Sequence, residues 1–286
     1  MSMDKFRYDG KRVLVCGAAS GMGEATVQIL ADLGAEIYAL DVKEMSLPAK
    51  KTIRMDLRDR ASIDGALAEV GGPIHALFSC AGVAGTPFSP LDLMLINFVG
   101  ARHLIESAAE SMMPAGSAIA CISSIGGLGW QDNLETIMDL LATSDFEGGR
   151  KWVEEKVATG PKLGEEPAFA NYAFSKQVTD VYCMRRSHAF IQQGIRINAT
   201  APGPTQTPLM EATPGWQIFM GGEFKDKLGR DGSTAEEQGY PLVFLNSDAA
   251  SSISGHVLTV DAGYVGGALT NAFPSMLLAG RQQQSG

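Results

Sequence analysis

"RVLVCGAASGMG", Arg12–Gly23, joins a run of apolar and β-branched residues to three glycines and then to an amphipathic stretch. An unbroken run of that kind suits a strand buried on both faces. Gly17, Gly21 and Gly23 stand in GxxxGxG spacing, and residues 22–33 read as the helix that follows. Strand, glycine turn and helix in this order suit a nucleotide. The glycines permit a tight turn and close approach, and the helix N-terminus presents unpaired N–H groups to a diphosphate. A purely structural glycine turn is the alternative.

The same rhythm continues outward. "EIYAL", "TIRM", "IHALFSC", "SAIACIS", "IRINATA" and "HVLTV" read as further strands, with helices expected near 60–70, 91–113, 171–193 and 234–246. This βαβ alternation predicts an α/β fold: a Rossmann-like, doubly wound parallel sheet of about seven strands with helices on both faces. A single domain over 1–286 is expected. Three segments depart from the pattern. Residues 131–170 are too long for an ordinary connection and should form a helical insertion. There Leu134, Ile137, Met138 and Leu141 repeat at i, i+3, i+4, i+7, predicting one apolar helical stripe. A second helix over "RKWVEEKVA" should turn Trp152, Val153 and Val157 inward. Residues 208–233 mix Pro, Gly, Met, Trp and Phe as a substrate flap would, and 279–286 should be a disordered tail.

With 23 Lys+Arg against 32 Asp+Glu the formal charge is −9, which disfavours nucleic acid and anionic membrane surfaces as partners. No run approaches the roughly 18 apolar residues that span a bilayer, and "MSMDKFRYDG" lacks an apolar signal core. A soluble, cytoplasmic protein is expected. Cys16, Cys80 and Cys121 end apolar runs and, with Cys183, read as reduced thiols. His75, His103, His188 and His256 are scattered, so no metal site is predicted.

Asp41 closes the second strand about 20 residues beyond the glycines, where a carboxylate can accept hydrogen bonds from an adenosine ribose or cap a turn. It would repel a 2′-phosphate by about 1–4 kcal/mol at about 4 Å, favouring NAD over NADP, with Lys43 a partial offset. Asp56 is placed either to reach the adenine edge or to cap the helix beginning near Arg60. Cys80, Ala81 and Gly82 end the fourth strand, where small residues let the chain pass close to the adenosine. "NYAFSK" sets Tyr172 and Lys176 one helical turn apart, so a phenol and an ammonium project into one space.

Together these stretches resemble the short-chain dehydrogenase/reductase family over about residues 10–265. "CGAASGMG" resembles its glycine motif, and "CAG" its Asn-Ala-Gly motif with cysteine in first place. "INFVG" resembles its asparagine segment, "CISSIGG" its serine strand and "YAFSK" its Tyr-xxx-Lys motif. "APGPTQT" resembles its Pro-Gly-xxx-Thr segment, and "VDAG" its closing strand. The resemblance implies that Asn97, Ser124, Tyr172 and Lys176 are catalytic. Tyr172 would be the acid/base, Lys176 its charge partner and ribose ligand, and Ser124 the group holding the substrate oxygen. Asn97 would anchor a relay water, or serve as a core amide in a kinked helix. It further implies cofactor contacts from Ser20 and Met22 in the glycine loop, from Leu57 beside Asp56, and from Pro202, Gly203, Thr205 and Thr207 near the nicotinamide. Ser123 would point to the other side of its strand.

The implied activity is NAD(H)-dependent interconversion of a secondary alcohol and a ketone, by an enzyme assembled as a homodimer or homotetramer. Trp130, Met210, Trp216, Phe219, Met220 and Phe224 would give the substrate an apolar wall, or belong in part to the core. The long segment between serine and tyrosine is similar to that of bacterial 3α-hydroxysteroid dehydrogenase/carbonyl reductase, which points to a bulky cyclic alcohol. Dihydrodiols and terpenols remain alternatives. A non-catalytic NAD(H) sensor is a further class, against which stands the presence of all four catalytic residue types. An epimerase or dehydratase of the longer branch lacks the matching glycine spacing.

Overall fold

The computed structural model of the protein describes residues 3–85, 87–159, 168–211 and 220–275. Each expected strand is present: β1 (Arg12–Cys16), β2 (Glu36–Asp41), β3 (Lys51–Arg54), β4 (Ala76–Ser79), β5 (Ala118–Ile122), β6 (Arg196–Pro202) and β7 (Val257–Val260). They form one parallel sheet in the order β3-β2-β1-β4-β5-β6-β7. The order reverses between β1 and β4, and the crevice beyond the strand ends at that switch is where such sheets bind ligands.

The two-residue period of the strands divides the core. Val13 and Val15 of β1, Phe78 of β4 and Ala120 of β5 pack on one face with Val27 and Leu30 of α1 (Gly21–Asp32). Leu14 and Cys16, Leu77, and Ile119 and Cys121 enter the core on the other face. That second face is covered by α2 (Arg60–Val70), α3 (Pro90–Met94), α4 (Gly100–Ser111) and the long helix described below. The continuous apolar runs thus reflect burial on both sides.

The helix expected over 91–113 is not uniform. A wide π turn, Leu95–Val99, separates α3 from α4. Asn97 lies in it and spends its amide on the neighbouring chain: Oδ1 accepts from Val83 N at 2.8 Å, and Nδ2 donates to Val83 O at 2.9 Å and Ser175 Oγ at 3.0 Å.

Over its described residues the insertion is helical, as expected, and 160–167 lie outside them. It comprises a short 3-10 turn (Trp130–Asn133), α5 (Leu134–Leu141) and α6 (Phe146–Thr159). Its stripe is centred differently: Ile137 and Leu140 are fully buried, Met138 and Leu141 partly so, while Leu134 is exposed. The chain enters α5 through the tight 3-10 turn, which leaves Leu134 on the outside at the helix start. Phe146, Trp152 and Val153 of α6 are buried in the same core, with Val157 at its edge. Buried Arg102 of α4 fastens the segment, donating to Leu140 O, Thr143 O and Oγ1, and Asp145 O.

The stretch "NYAFSK" lies in the first turns of α7 (Ala168–Gln192). After β6 come α8 (Pro208–Glu211), a π turn (Met220–Phe224), α9 (Lys225–Leu228), α10 (Ala235–Asn246) and α11 (Tyr264–Leu269). The expected tail 279–286 lies outside the described residues, as do Trp216, Phe219 and the Met220 side chain.

Candidate active site

At the switch point, Gly17 (φ +80°) turns the chain out of β1 so closely against β4 that a β-carbon there would come within 2.4 Å of Ala81 N. At Gly23 a β-carbon would come within 2.0 Å of Gly17 O. The N-terminus of α1 is thereby drawn over the strand ends. Ser20, its N-cap, makes no side-chain capping bond, leaving hydroxyl and first-turn N–H groups free for an anion. A cleft of about 350 Å³ opens there, lined by Gly17, Ser20, Gly21, Met22, Asp41, Asp56, Leu57, Cys80, Ala81 and Gly82. Of the glycine-loop and adenosine-side residues singled out from the sequence, all but Gly23, which packs beneath on Gly17, meet in it. Val42, Arg58, Phe88, Ile96 and Leu209 line it too, and no motif spacing marks them. The open helix end, small residues and a carboxylate at the cleft wall fit a dinucleotide.

Asp41 also performs the turn-capping role: Oδ2 accepts from Ala19 N and Oδ1 from Lys43 N, both at 3.0 Å. Each carboxylate oxygen keeps a lone pair for a further donor. Asp56 does not cap α2. That cap is Asp59, whose side chain accepts from Ala61 N, because it stands directly before the first helical turn. Asp56 instead holds Arg58, with Oδ2 accepting from Nη2 at 2.7 Å, and its carboxyl lies below the ordinary range through those hydrogen bonds.

The cleft continues to a cavity of about 50 Å³ lined by Met22, Ser123, Ser124, Tyr172, Pro202, Gly203, Thr205, Thr207 and Met210, with Ala84 and Leu209. Ser124 Oγ and the Tyr172 ring come together beside Gly126, 3.4 and 3.6 Å from where a β-carbon of that glycine would lie, and Ser124 Oγ accepts from Gly126 N at 3.1 Å. Lys176 Nζ stands 5.5 Å from the Tyr172 ring centre and donates to Ile122 O at 2.9 Å. Beside Gly82, Lys176 Nζ and Asn97 Oδ1 come together, 3.4 and 3.6 Å from where a β-carbon of that glycine would lie. Burial raises the Tyr172 phenol, opposed by the Ser124 hydrogen bond. Burial also lowers Lys176 to about 8, against the charge of Asp180. Thr205 and Thr207 are buried at the far wall, where the Thr207 methyl packs on Gly21.

Two apolar residues expected at the substrate are elsewhere. Trp130 follows Gly129, whose left-handed conformation (φ +89°) swings the chain outward. Trp130 lines a surface groove with Leu134, Met138 and residues of α4 and α7, not the Ser124–Tyr172 cavity. Phe224 is fully buried against Ile125, Tyr264 and Val265, so it is core. Ser123, adjacent to Ser124, reaches the cavity wall but donates its hydroxyl to Lys176 O at 3.2 Å.

The family profile described as "short chain dehydrogenase" matches residues 11–134, and one described as "Enoyl-(Acyl carrier protein) reductase" matches residues 162–265. The cis-4-hydroxycyclohexanecarboxylate dehydrogenase of Sinomonas cyclohexanicum is 30% identical, over 88% of this chain and 95% of its own. The coniferyl-alcohol dehydrogenase of Pseudomonas sp. (strain HR199 / DSM 7063) is 26% identical, over 88% of this chain and 96% of its own. Among solved structures, the 3-alpha-hydroxysteroid dehydrogenase from Pseudomonas sp. B-0831 complexed with NADH superposes with TM-score 0.73 at 26% identity, covering 93% of this chain and 100% of that one. The chain belongs to the short-chain dehydrogenase/reductase family. It is an oxidoreductase of that family, similar to dehydrogenases of cyclic and aromatic alcohols.

Proposed function

We propose that the protein is an NAD(H)-dependent dehydrogenase that interconverts a secondary alcohol and a ketone on an apolar, cyclic substrate of hydroxysteroid or bulky carbonyl type. The observation that carries this reading is the Ser124–Tyr172 hydroxyl pair beside Lys176, in a cavity that opens into the dinucleotide cleft. Gly17, Ser20, Gly21, Met22 and Gly23 hold the diphosphate, and Asp41 accepts the adenosine ribose hydroxyls. Asp56, Leu57, Cys80, Ala81 and Gly82 flank the adenosine, while Pro202, Gly203, Thr205 and Thr207 orient the nicotinamide. The bound cofactor supplies the hydride acceptor or donor. Arg58, the arginine at the adenosine end, is engaged by Asp56 and approaches Asp92 at 3.5 Å, an arrangement that supports NAD over NADP.

Tyr172 takes the alcohol proton in oxidation and returns it to the ketone oxygen in reduction. Working as a base near neutral pH requires its pKa to fall about 3 units from the ordinary phenol value, about 4 kcal/mol. In the chain alone burial pushes the other way, so the Lys176 ammonium and the positive nicotinamide ring must outweigh it. Ser124 positions the substrate oxygen, and Met210 forms part of the apolar wall. Asn97, its amide committed to Val83 and Ser175, fixes the loop against which Lys176 sits and anchors the relay.

The test is NADH and NADPH oxidation over a panel of cyclic and steroid ketones, with wild type and Tyr172→Phe. The variant should lose at least a hundredfold in turnover while binding NADH within about threefold of wild type. Turnover within tenfold of wild type would remove Tyr172 from its role. The similarity to coniferyl-alcohol dehydrogenase favours aromatic primary alcohols as a second substrate class, so coniferyl alcohol with NAD belongs in the panel. We also place the enzyme in the cytoplasm as a homo-oligomer. Among the described residues no helix is long and apolar enough to cross a membrane, and no cluster of three or more metal-ligating side chains occurs.

A further inference from the structure

Arg58 and Phe88 line the dinucleotide cleft and belong to none of the motifs that built it. The sheet order says which end of the cleft Arg58 occupies. Ser124 follows β5, whereas Asp56 and Arg58 follow β3, the edge strand four places away. Four strand spacings of about 4.8 Å make roughly 19 Å, so the half of a dinucleotide remote from the reacting atoms lies beside Arg58.

The arginine is held in place. Asp56 grips it as a fork, Oδ1 accepting from Nε at 3.0 Å and Oδ2 from Nη2 at 2.7 Å. Asp92 of α3 approaches its Nη1 at 3.5 Å. Ser89, the N-cap of α3, accepts from Asp92 N at 3.1 Å and donates to Asp92 Oδ2 at 2.7 Å. Phe88 stands directly before that cap, and its N–H donates to Gly85 O at 2.8 Å. Ion pairs and cap thus tie the two residues into one framework, in which Phe88 remains 37% exposed. A single exposed phenyl ring needs no explanation. One that shares a cleft with a fixed guanidinium gives that cleft two flat π groups. The two carboxylates (−2) and one guanidinium (+1) leave a net charge of −1, which makes this arginine a poor ligand for a phosphate.

We propose that Arg58 and Phe88 form the platform that recognises the adenine base, the bracketed guanidinium and the phenyl ring each offering a flat face to a flat heteroaromatic. This rests on the cofactor reading made above. Bases stack on aromatic rings and on arginine through their π faces, with no need of a hydrogen-bond partner. Such a platform is blind to a 2′-phosphate. It adds affinity for either dinucleotide, and the choice between them stays with Asp41.

Fluorescence titrations with NADH and NADPH test this, together with calorimetry on ADP-ribose, which keeps the adenosine and lacks the nicotinamide. Arg58→Ala should bind NADH, NADPH and ADP-ribose each about tenfold more weakly than wild type. Arg58→Lys keeps a cation beside Asp56 but gives up the plane, so it should stay at least about fivefold weaker than wild type. Phe88→Ala should lose about fivefold, and Phe88→Tyr, which keeps the ring, less than about twofold. The calorimetric stoichiometry reports the folded fraction of each variant. Unchanged affinities in the alanine variants would overturn the proposal. A lysine variant that binds like wild type would reduce Arg58 to a counter-charge for Asp56 and overturn it as well. So would a loss confined to NADPH, the mark of a phosphate ligand, or a loss for NADH that spares ADP-ribose. Wild type that binds ADP-ribose but neither dinucleotide would refute the cofactor reading, while the ADP-ribose series still decides on the platform. Wild type that binds none of the three overturns both.

Discussion

Tyr172 and Lys176 illustrate how one property, burial, acts oppositely on an acid and a base. It favours the neutral phenol and the neutral amine, whereas alcohol oxidation needs a phenolate next to an ammonium. The sign of the pH dependence follows. Oxidation kcat/KM should rise with pH as Tyr172 loses its proton and turn over once Lys176, lowered by burial to about 8, loses its own, whereas ketone reduction, which consumes the phenol proton, should fall throughout. Rates measured in both directions between pH 6 and 9.5 check this, and parallel profiles would contradict it. At the other end of the cleft, Asp41 both caps the glycine loop and lines the cleft wall. Asp41→Ala should weaken NAD binding about tenfold to a hundredfold and narrow the preference over NADP, by loss of a charged hydrogen bond worth about 1.5–3 kcal/mol. Calorimetric titration with both cofactors reads it. Unchanged NAD affinity would leave Asp41 a loop cap only.

Among elements, the insertion is the one whose role the fold changes most. Its helical periodicity was visible at Ile137, Met138 and Leu141, but the depth of burial was not. Ile137, Leu140, Phe146, Trp152 and Val153 are part of the main core rather than a lid laid over it. Leu140→Ala should accordingly cost about 2–5 kcal/mol, measured by denaturant unfolding, with NADH affinity preserved in the folded fraction. A loss below about 1 kcal/mol would mean that the segment packs only superficially. Arg102 explains the anchoring, yet an arginine in an amphipathic helix carries no mark of being buried. Its partners are carbonyl groups distant in the chain. The π turn at Leu95–Val99 escaped for a similar reason, since apolar spacing cannot show where a helix widens by one residue to hand its amide to Val83.

Over the whole molecule, the sheet order converges on one crevice, and the formal charge of −9 leaves little attraction for polyanions. Assembly should draw on the outer surfaces of this sandwich. The edge strand β7 is only half-buried, and Tyr240 and Leu269 are among its exposed large apolar side chains elsewhere on the molecule. A homodimer is expected over a tetramer. Light scattering coupled to size-exclusion chromatography should give about twice the 30.3 kDa chain mass, and a monomer at micromolar concentration would overturn this. Strand and helix order, the glycine cradle and the Tyr172–Lys176 pair were legible in the sequence because each is a local pattern, set by the two-residue or 3.6-residue period or by a glycine's freedom. Only the tertiary structure decided that Trp130 lines a groove away from Ser124 and Tyr172, that Phe224 is core, that Asp59 rather than Asp56 caps α2, and that Gly127 makes room for Asp180. Those outcomes depend on how elements far apart in the chain dock, and on which side chain finds space there, which local spacing does not encode.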